Sequence, residues 1–322
     1  MRAVRANPSR LDKDFMKVFL APLAIAAALT LTAAAQPAIA RSATTAAIAV
    51  APSPIKTMRV QQHRTDAPRF PRLAALRSGA ILILDPATRQ VLYQKNANMV
   101  MPIASVTKLM TALVVIRAGQ DLQEKLAITD ADVDRLKYSS SRLRVGTRLT
   151  RAAMLHIALM SSENRAASAL GRHYPGGTAR FVAAMNARAG ALGMSRTRFV
   201  EPTGLSSENV STPEDLAKLV VAAQQHPLIR KYSTDPGHTI AQGRHQTAYR
   251  NSNRLIASPG WKIGTQKTGY IAEAGRCMVL HAVVKGRAVV MVFLDAHGKF
   301  SRARDANQVR SWLVGNRKAG QP

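Results

Sequence analysis

The chain is poor in cysteine, in acidic residues and in aromatic residues, and each shortage excludes a class of protein. Cys277 is the only cysteine among 322 residues, so no disulfide can form within the chain. It begins an apolar run, which favours a buried thiol over a nucleophile. Asp and Glu number 18 against 46 Lys and Arg, and the formal net charge is +28. The aromatic residues do not alternate with basic ones as they do in single-strand binders, so we expect no nucleic-acid partner.

The motifs of several enzyme classes are absent as well. The eight histidines show no H-E-x-x-H or similar ligand spacing. His238 and His245 fall in a polar segment that we predict to be a loop, where surface histidines are commoner than zinc ligands. The sequence contains no G-x-S-x-G elbow, no phosphate-binding loop and no dinucleotide fingerprint. We therefore expect no metal site and no cofactor.

Residues 1–40 have the pattern of a secretory signal peptide. A basic stretch precedes an apolar run at 18–35, and residues 38–40 place small side chains at the cleavage positions. A retained membrane anchor is the alternative, but the run is barely long enough to span a bilayer. We predict cleavage after Ala40, translation from Met1 or Met16, a periplasmic location and no stable membrane anchor. Residues 1–40 hold five basic and two acidic residues, so +25 of the net charge remains, which favours an acidic envelope polymer such as peptidoglycan or lipopolysaccharide as partner.

The rest of the chain divides into a linker and one large domain. Residues 41–71 are rich in Ala, Thr, Ser, Pro and Arg without steady periodicity, and we expect a disordered linker there. Apolar runs bounded by turn residues predict strands at 80–85, 90–93, 276–284 and 288–295. Helical periodicity dominates between these pairs of strands, and a last helix is predicted at 301–314. The clearest helix covers 148–160, with Thr150 as its expected N-cap.

These elements predict the fold class. It is α/β (α+β), with a mainly antiparallel sheet formed by distant segments, flanked by helices and interrupted by a helical subdomain. We place the domain at 72–316, the helical insertion at about 125–225 and a short tail at 317–322.

Three short motifs occur in one order along this domain. They are Ser105-x-x-Lys108, Ser162-x-Asn164 and Lys267-Thr268-Gly269. A serine three residues before a lysine at a helix start lies on the same face, within hydrogen-bond reach. A serine attacks a carbonyl only when a base takes its proton, and lysine is a base only when neutral. The helix dipole, burial and a second cation such as Lys267 would each lower the pKa of Lys108.

The first two motifs have second copies in the chain. Ser53-Pro-Ile-Lys56 lies in the predicted linker with no helix after it, so we regard it as accidental. Residues 206–209 repeat the letters of 161–164 but follow a loop, whereas the first copy follows the strongest helix. The first copy is therefore the better candidate. Taken alone, each motif is also compatible with a capping serine, a surface lysine or a turn.

The Lys-Thr-Gly motif occurs once. On an edge strand, the ammonium of Lys267 and the hydroxyl of Thr268 can bind a carboxylate, and Gly269 permits close approach of a substrate backbone. The backbone amides of Ser105 and Tyr270 would then form an oxyanion hole.

The three motifs together resemble the signature of the low-molecular-mass penicillin-binding proteins, the serine D-Ala-D-Ala carboxypeptidase family. The resemblance covers about residues 78–314 and includes Asp85-Pro and the segments 102–112 and 201–205. Segments 160–167, 249–253 and 267–277 are similar to the D-alanyl-D-alanine endopeptidase branch. Peptidoglycan stem peptides are the substrates that this resemblance implies, with β-lactam antibiotics as covalent inhibitors.

The resemblance also implies a β-lactamase/transpeptidase-like fold and a set of residue roles. Ser105 would form the acyl-enzyme, Lys108 would accept its proton, and Ser162 would be a second active-site serine. Asn164 would join Ser162 in relaying protons, and the Lys-Thr-Gly strand would bind substrate.

Other functions remain open at this point. A D-Ala-D-Ala carboxypeptidase needs the same acylating residues, so the sequence does not separate it from the endopeptidase. A serine β-lactamase needs a deacylating carboxylate, and Glu201 is a candidate, although Pro-Thr-Gly-Leu follows it instead of the class A pattern. A non-enzymatic envelope-binding protein with a vestigial site is the third alternative.

Overall fold

The computed structural model describes residues 73, 76–242 and 245–315. The predicted signal peptide, linker and tail lie outside these residues. The strands within them are β1 (Ser78–Leu84), β2 (Val91–Lys95), β3 (Met101–Pro102), β4 (Lys125–Ala127), β5 (Arg148–Thr150), β6 (Val210–Ser211), β7 (Gly237–Gln242), β8 (His245–Arg250), β9 (Lys262–Ile271), β10 (Gly275–Val284) and β11 (Arg287–Ala296). The α-helices are α1 (Lys108–Arg117), α2 (Arg151–Met160), α3 (Asn164–Arg172), α4 (Gly177–Ala191), α5 (Pro213–Gln224), α6 (Pro227–Thr234) and α7 (Ser301–Gly315).

The central sheet joins the two ends of the described chain. Its strand order is β2-β1-β11-β10-β9, and every neighbouring pair is antiparallel. The predicted hairpins β1–β2 and β10–β11 are both present, and β1 pairs with β11 from the opposite end of the chain. Strand β9 forms one edge of the sheet.

Both faces of this sheet are buried, as the alternation of its side chains shows. On β11, Val290 and Val292 belong to the core on the helical side. Met291 and Phe293 belong to the core on the opposite side, which Ala306 of α7 also joins. Because successive side chains of a strand point to opposite faces, a continuous apolar run is what a sheet covered on both sides requires.

Helices α1 to α6 lie between β3 and β7, together with the short strands β4, β5 and β6. The Thr150 hydroxyl accepts the Ala153 amide and caps α2 as predicted. Residues 148–150, predicted as the start of this helix, form β5 instead and pair with β4. Helices α2 to α5 lie within residues 125–225, whereas α1 precedes this range and Pro227 starts α6 just after it. No helix among the described residues combines the length and the apolarity needed to cross a membrane.

The segment predicted as a polar loop around His238 and His245 is a β-hairpin, so that prediction was wrong. Strands β7 and β8 pair antiparallel, with His238 opposite Tyr249. Ile240 and Tyr249 are buried, whereas their neighbours are largely polar. Only two of the ten hairpin residues whose burial is described are buried, which gave too weak an alternation for the strand pattern to be visible.

Candidate active site

Ser105 and Lys108 meet at the start of α1. Strand β3 leads into a 3₁₀ turn at Ala104–Thr107, and Lys108 is the first residue of the α-helix that follows. Lys108 Nζ lies 2.8 Å from Ser105 Oγ. The contact predicted from the i, i+3 spacing is therefore present.

Lys108 is 1% exposed, and its ammonium nitrogen contacts three oxygens. They are Ser105 Oγ at 2.8 Å, Asn164 Oδ1 at 2.7 Å and the Thr203 carbonyl at 2.6 Å. Burial lowers the pKa of Lys108 from 10.5 to about 8, and the negative charges of Glu201, Glu163 and Asp134 oppose this shift. At pH 7 about a tenth of the lysine is therefore neutral, against about three parts in ten thousand for an unshifted one.

The three contacts decide where the lone pair of a neutral Lys108 points. The Asn164 and Thr203 oxygens can only accept hydrogen bonds, so each retains one of the two N–H groups of the amine. The remaining direction faces Ser105 Oγ. The Ser105 hydroxyl can then donate to Lys108, which is the geometry that a general base requires.

Ser162 and Asn164 lie where α2 ends and α3 begins. Asn164 is the first residue of α3, and its Nδ2 donates to Ser139 Oγ at 2.8 Å. Ser162 has φ of 66°, a left-handed conformation that is unusual for serine. Among the hydrogen bonds of the described residues, none joins the Ser162 hydroxyl to Lys108 or Ser105. Asn164 is thus the direct partner of the lysine.

The loop between α4 and α5 supplies the third oxygen around Lys108. The Glu201 carboxylate accepts the Thr203 amide at 2.6 Å and Asn209 Nδ2 at 2.9 Å. Asn209 is fully buried and also donates to Thr107 Oγ1 at 3.1 Å. This network fixes the loop against the turn before α1 and directs the Thr203 carbonyl at Lys108.

Two glycines pack against the backbone that carries the nucleophile. Gly204 has φ of +81°, and a Cβ there would lie 2.0 Å from the Ala104 carbonyl oxygen. A Cβ on Gly269 would lie 2.9 Å from the Ser105 nitrogen. The first backbone hydrogen bond of the 3₁₀ turn runs from the Val106 amide to the Ile103 carbonyl. The Ser105 amide comes one residue earlier, so the turn does not use it as a donor. Glycine at 269 therefore leaves this amide unobstructed as a donor.

The Lys-Thr-Gly motif lies on β9, beside this amide. Lys267 is fully buried, and its Nζ donates to the Thr268 carbonyl at 2.8 Å. Burial lowers the pKa of Lys267 well below its ordinary value, and the positive charges of Lys108 and Arg302 add to the effect. Thr268 Oγ1 lies 2.7 Å from Ser252 Oγ. The strand motif and the helix motif are thus brought together, as predicted.

Basic side chains flank β9. Arg302 of α7 donates to the carbonyls of Gly269 and Cys277 at 2.9 and 3.2 Å. Burial lowers the pKa of Arg302 to about 10. Tyr270 is 56% exposed, and the Arg276 guanidinium lies 4.5 Å from its ring centroid. This end of the site is suited to an anionic ligand.

Comparison with known proteins identifies the family of the chain. A family model described as D-alanyl-D-alanine carboxypeptidase matches residues 62–298. The chain belongs to the D-alanyl-D-alanine carboxypeptidase family. All three predicted motifs lie within the matched residues, and the family inferred from them is confirmed.

Curated members of the carboxypeptidase family include close relatives of this chain. A D-alanyl-D-alanine endopeptidase of Pseudomonas aeruginosa is 47% identical over 76% of this chain and 79% of its own length. A protein of the same name from Escherichia coli is 44% identical over 73% of this chain and 77% of its own.

Solved structures agree with the family assignment. A DD-transpeptidase of Streptomyces is 27% identical, with a TM-score of 0.68, and covers 74% of this chain and 97% of its own. A penicillin-binding protein of Listeria monocytogenes in its cefotaxime-bound form is 31% identical, with a TM-score of 0.65, over 73% and 96%. The predicted fold class is confirmed.

Several residues that shape this carboxypeptidase-family site were not predicted from the sequence. Ser139 and the Thr203 carbonyl form part of the surroundings of Lys108, and neither belongs to one of the three motifs, although Thr203 lies in the segment 201–205. Asn209 belongs to the rejected second copy of Ser-x-Asn, and its role is to hold the Glu201 loop. The Glu-Pro-Thr-Gly segment was the available sequence signal for this loop, because its glycine, Gly204, packs closely against the backbone of Ala104.

Proposed function

We propose that the enzyme is a serine D,D-peptidase that acts on peptidoglycan stem peptides, as a D-alanyl-D-alanine endopeptidase. The observation that carries this proposal is the contact between Lys108 and Ser105. The buried lysine donates its other N–H groups to the Asn164 and Thr203 oxygens, which leaves its lone pair facing the Ser105 hydroxyl. The names of the two curated relatives above support the endopeptidase specificity.

Acylation begins with proton transfer. The Ser105 hydroxyl donates its proton to the lone pair of Lys108, and Oγ attacks the carbonyl carbon of a D-Ala residue. The carbonyl oxygen becomes an oxyanion, for which the amides of Ser105 and Tyr270 are the proposed donors. When the intermediate collapses, the C–N bond breaks and the leaving amine takes the proton. Water then hydrolyses the acyl-serine ester.

Proton return to the leaving amine requires groups close to Lys108. Asn164 contacts the lysine directly, and Ser162 precedes it by two residues in a strained backbone conformation. Strain of this kind is concentrated at functional sites, which supports a role for the Ser162 hydroxyl. We propose that Ser162 and Asn164 relay the proton.

Substrate recognition falls to β9. The substrate chain would lie along this edge strand, with its carboxylate near Lys267 and Thr268. The positive charges of Arg302 and Arg276 strengthen the field that attracts an anionic stem peptide. For the crosslinked substrate, the scissile bond joins D-Ala to the side-chain amine of diaminopimelate.

The structure disfavours a β-lactamase. The Glu201 carboxylate accepts hydrogen bonds from the amides of Thr203 and Gly204 and from Asn209. A carboxylate engaged in holding its own loop is a poor candidate for activating a deacylating water. β-Lactams should therefore act as slowly released covalent inhibitors.

Location and partners follow from the same proposal. The signal-like residues 1–40 and the proposed crosslinked substrate both support a periplasmic location without a stable membrane anchor. Its strongly basic composition supports peptidoglycan as partner and does not require nucleic acid.

The specificity is tested with two purified muropeptides. One is a crosslinked tetrapeptide dimer, and the other is a monomer ending in D-Ala-D-Ala. We expect conversion of the dimer to monomers, measured by liquid chromatography and mass spectrometry, and no conversion by Ser105→Ala. Removal of the terminal D-Ala with the dimer left intact would identify a carboxypeptidase instead. Conversion by Ser105→Ala would refute the mechanism.

A further inference from the structure

Three metal-ligating side chains converge outside the active site. His156 lies on α2, Asp235 follows α6, and His238 lies on β7. One potential ligand atom from each falls within 4.8 Å of the others. His156 is distant in the sequence from Asp235 and His238, so the three do not form a local spacing motif.

His156 is the buried member of this cluster. Its Nε2 lies 3.0 Å from Asp235 Oδ2. Among the described residues, the Asp235 carboxylate is the polar group that this nitrogen contacts. The His156 ring stacks on Tyr232 at 4.3 Å and lies 4.2 Å from the His238 ring. An imidazole nitrogen is thus held beside a carboxylate oxygen and a second imidazole.

We propose that His156, Asp235 and His238 bind one divalent transition-metal ion, with Zn²⁺ as the best fit. Two imidazoles and one carboxylate are typical ligands of Zn²⁺ and its neighbours, whereas Mg²⁺ and Ca²⁺ prefer oxygen atoms alone. Tetrahedral Zn²⁺ holds ligand atoms about 3.4 Å apart. The ligand atoms of His156 and Asp235 are already this close. The ligand nitrogen of the partly exposed His238 would have to move by roughly 1 Å to reach the same spacing.

A metal here would connect α2 with the segment that precedes β9. The Asp235 carbonyl accepts Asn251 Nδ2 at 2.8 Å, and the Met160 carbonyl at the end of α2 accepts the Ser252 amide at 2.9 Å. Ser252 in turn contacts Thr268 of the Lys-Thr-Gly strand. The ion would therefore fasten the helix that leads to Ser-x-Asn to the hairpin that leads to Lys-Thr-Gly, a stabilising role independent of the proposed reaction.

The test uses the protein without an affinity tag, stripped of metal by a chelator. Zn²⁺ alone is titrated by calorimetry and in thermal unfolding. We expect one tightly bound equivalent and a midpoint temperature that rises with Zn²⁺ concentration. His238→Gln should weaken the affinity at least tenfold and remove the temperature rise. His297→Gln, at a histidine whose side chain is 85% exposed, is the matched control and should change neither.

Equal binding by His238→Gln and the unsubstituted protein would overturn the proposal, as would the absence of a tight equivalent. Should His238→Gln fail to fold, the nearly isosteric Asp235→Asn takes its place under the same criteria. The absorption of Co²⁺ provides a second measurement, because a tetrahedral site gives intense visible bands. Loss of these bands in either variant supports the site, and their persistence in both contradicts it.

Discussion

Replacing Asn164 by aspartate would test whether Lys108 acts as a neutral base. Asn164 Oδ1 lies 2.7 Å from Lys108 Nζ, so Asn164→Asp keeps the shape of the partner and adds a negative charge beside the amine. The carboxylate stabilises the ammonium form, and the pKa of the lysine therefore rises. The variant enzyme should need a higher pH to reach the same rate of acylation.

The size of the effect follows from the pKa of Lys108, which burial sets at about 8. An adjacent opposite charge shifts a pKa by about 1–3 units, which would place Lys108 at about 9–11. The neutral fraction at pH 7 would then fall from about a tenth to between about a hundredth and a ten-thousandth. Acylation at pH 7 should slow by about 10- to 1000-fold.

The assay is the rate of acylation by a fluorescent penicillin between pH 6 and 11. Below pH 8 the unsubstituted enzyme should gain about tenfold per unit and then level off. Asn164→Asp should keep rising to pH 9 or above and approach the unsubstituted rate. Asn164→Ala, which removes the contact without adding charge, should not move the rising limb to higher pH. An Asn164→Asp defect of the same size at every pH would refute the reasoning.

Three further substitutions or measurements probe the framework of the site. Gly204→Ala places a Cβ 2.0 Å from a backbone oxygen at φ of +81°. The variant should lose acylation, and its free energy of unfolding in urea should fall by about 3 kcal/mol or more. Gly190→Ala, where a Cβ meets open space, should keep acylation intact. Asp305→Ala removes a buried carboxylate that accepts three hydrogen bonds at the start of β1 and should cost about 3 kcal/mol in the same assay. Asn307→Ala, at an exposed contact on the same helix, should cost about 0.5 kcal/mol or less, and equal losses would contradict the assignment. Burial raises the pKa of Cys277 to about 11, so the native thiol should resist alkylation at pH 8 and react fully in denaturant; rapid reaction of the native protein would be inconsistent with this packing.

Local patterns in the sequence predicted much of the fold and the central pair of the site. The i, i+3 spacing of Ser105 and Lys108 is a property of one helical turn, and the contact is present. Four of the five strands of the central sheet were predicted, and β1, β10 and β11 gave continuous apolar runs because both faces of the sheet are buried there. The edge strand β9 gave no such run. The family followed from three motifs whose order is itself informative.

The unpredicted features depend on contacts between distant segments. The Thr203 carbonyl is a backbone group, and its place beside Lys108 is fixed by Glu201 and Asn209 through folding. The β7–β8 hairpin buries too few side chains to give a clear alternation. His238 meets His156 only when this hairpin packs near α2, so the spacing of histidines contained no sign of their cluster.

Covalent labelling by benzylpenicillin tests the central claim most directly. Opening of the β-lactam ring by a serine adds the whole drug without a leaving group, so the intact mass of the protein should rise by the mass of one drug molecule. Peptide mapping should place the adduct on Ser105, and Ser105→Ala should gain no mass. An adduct on another residue, an adduct that persists in Ser105→Ala, or rapid drug hydrolysis without a lasting adduct would contradict the account.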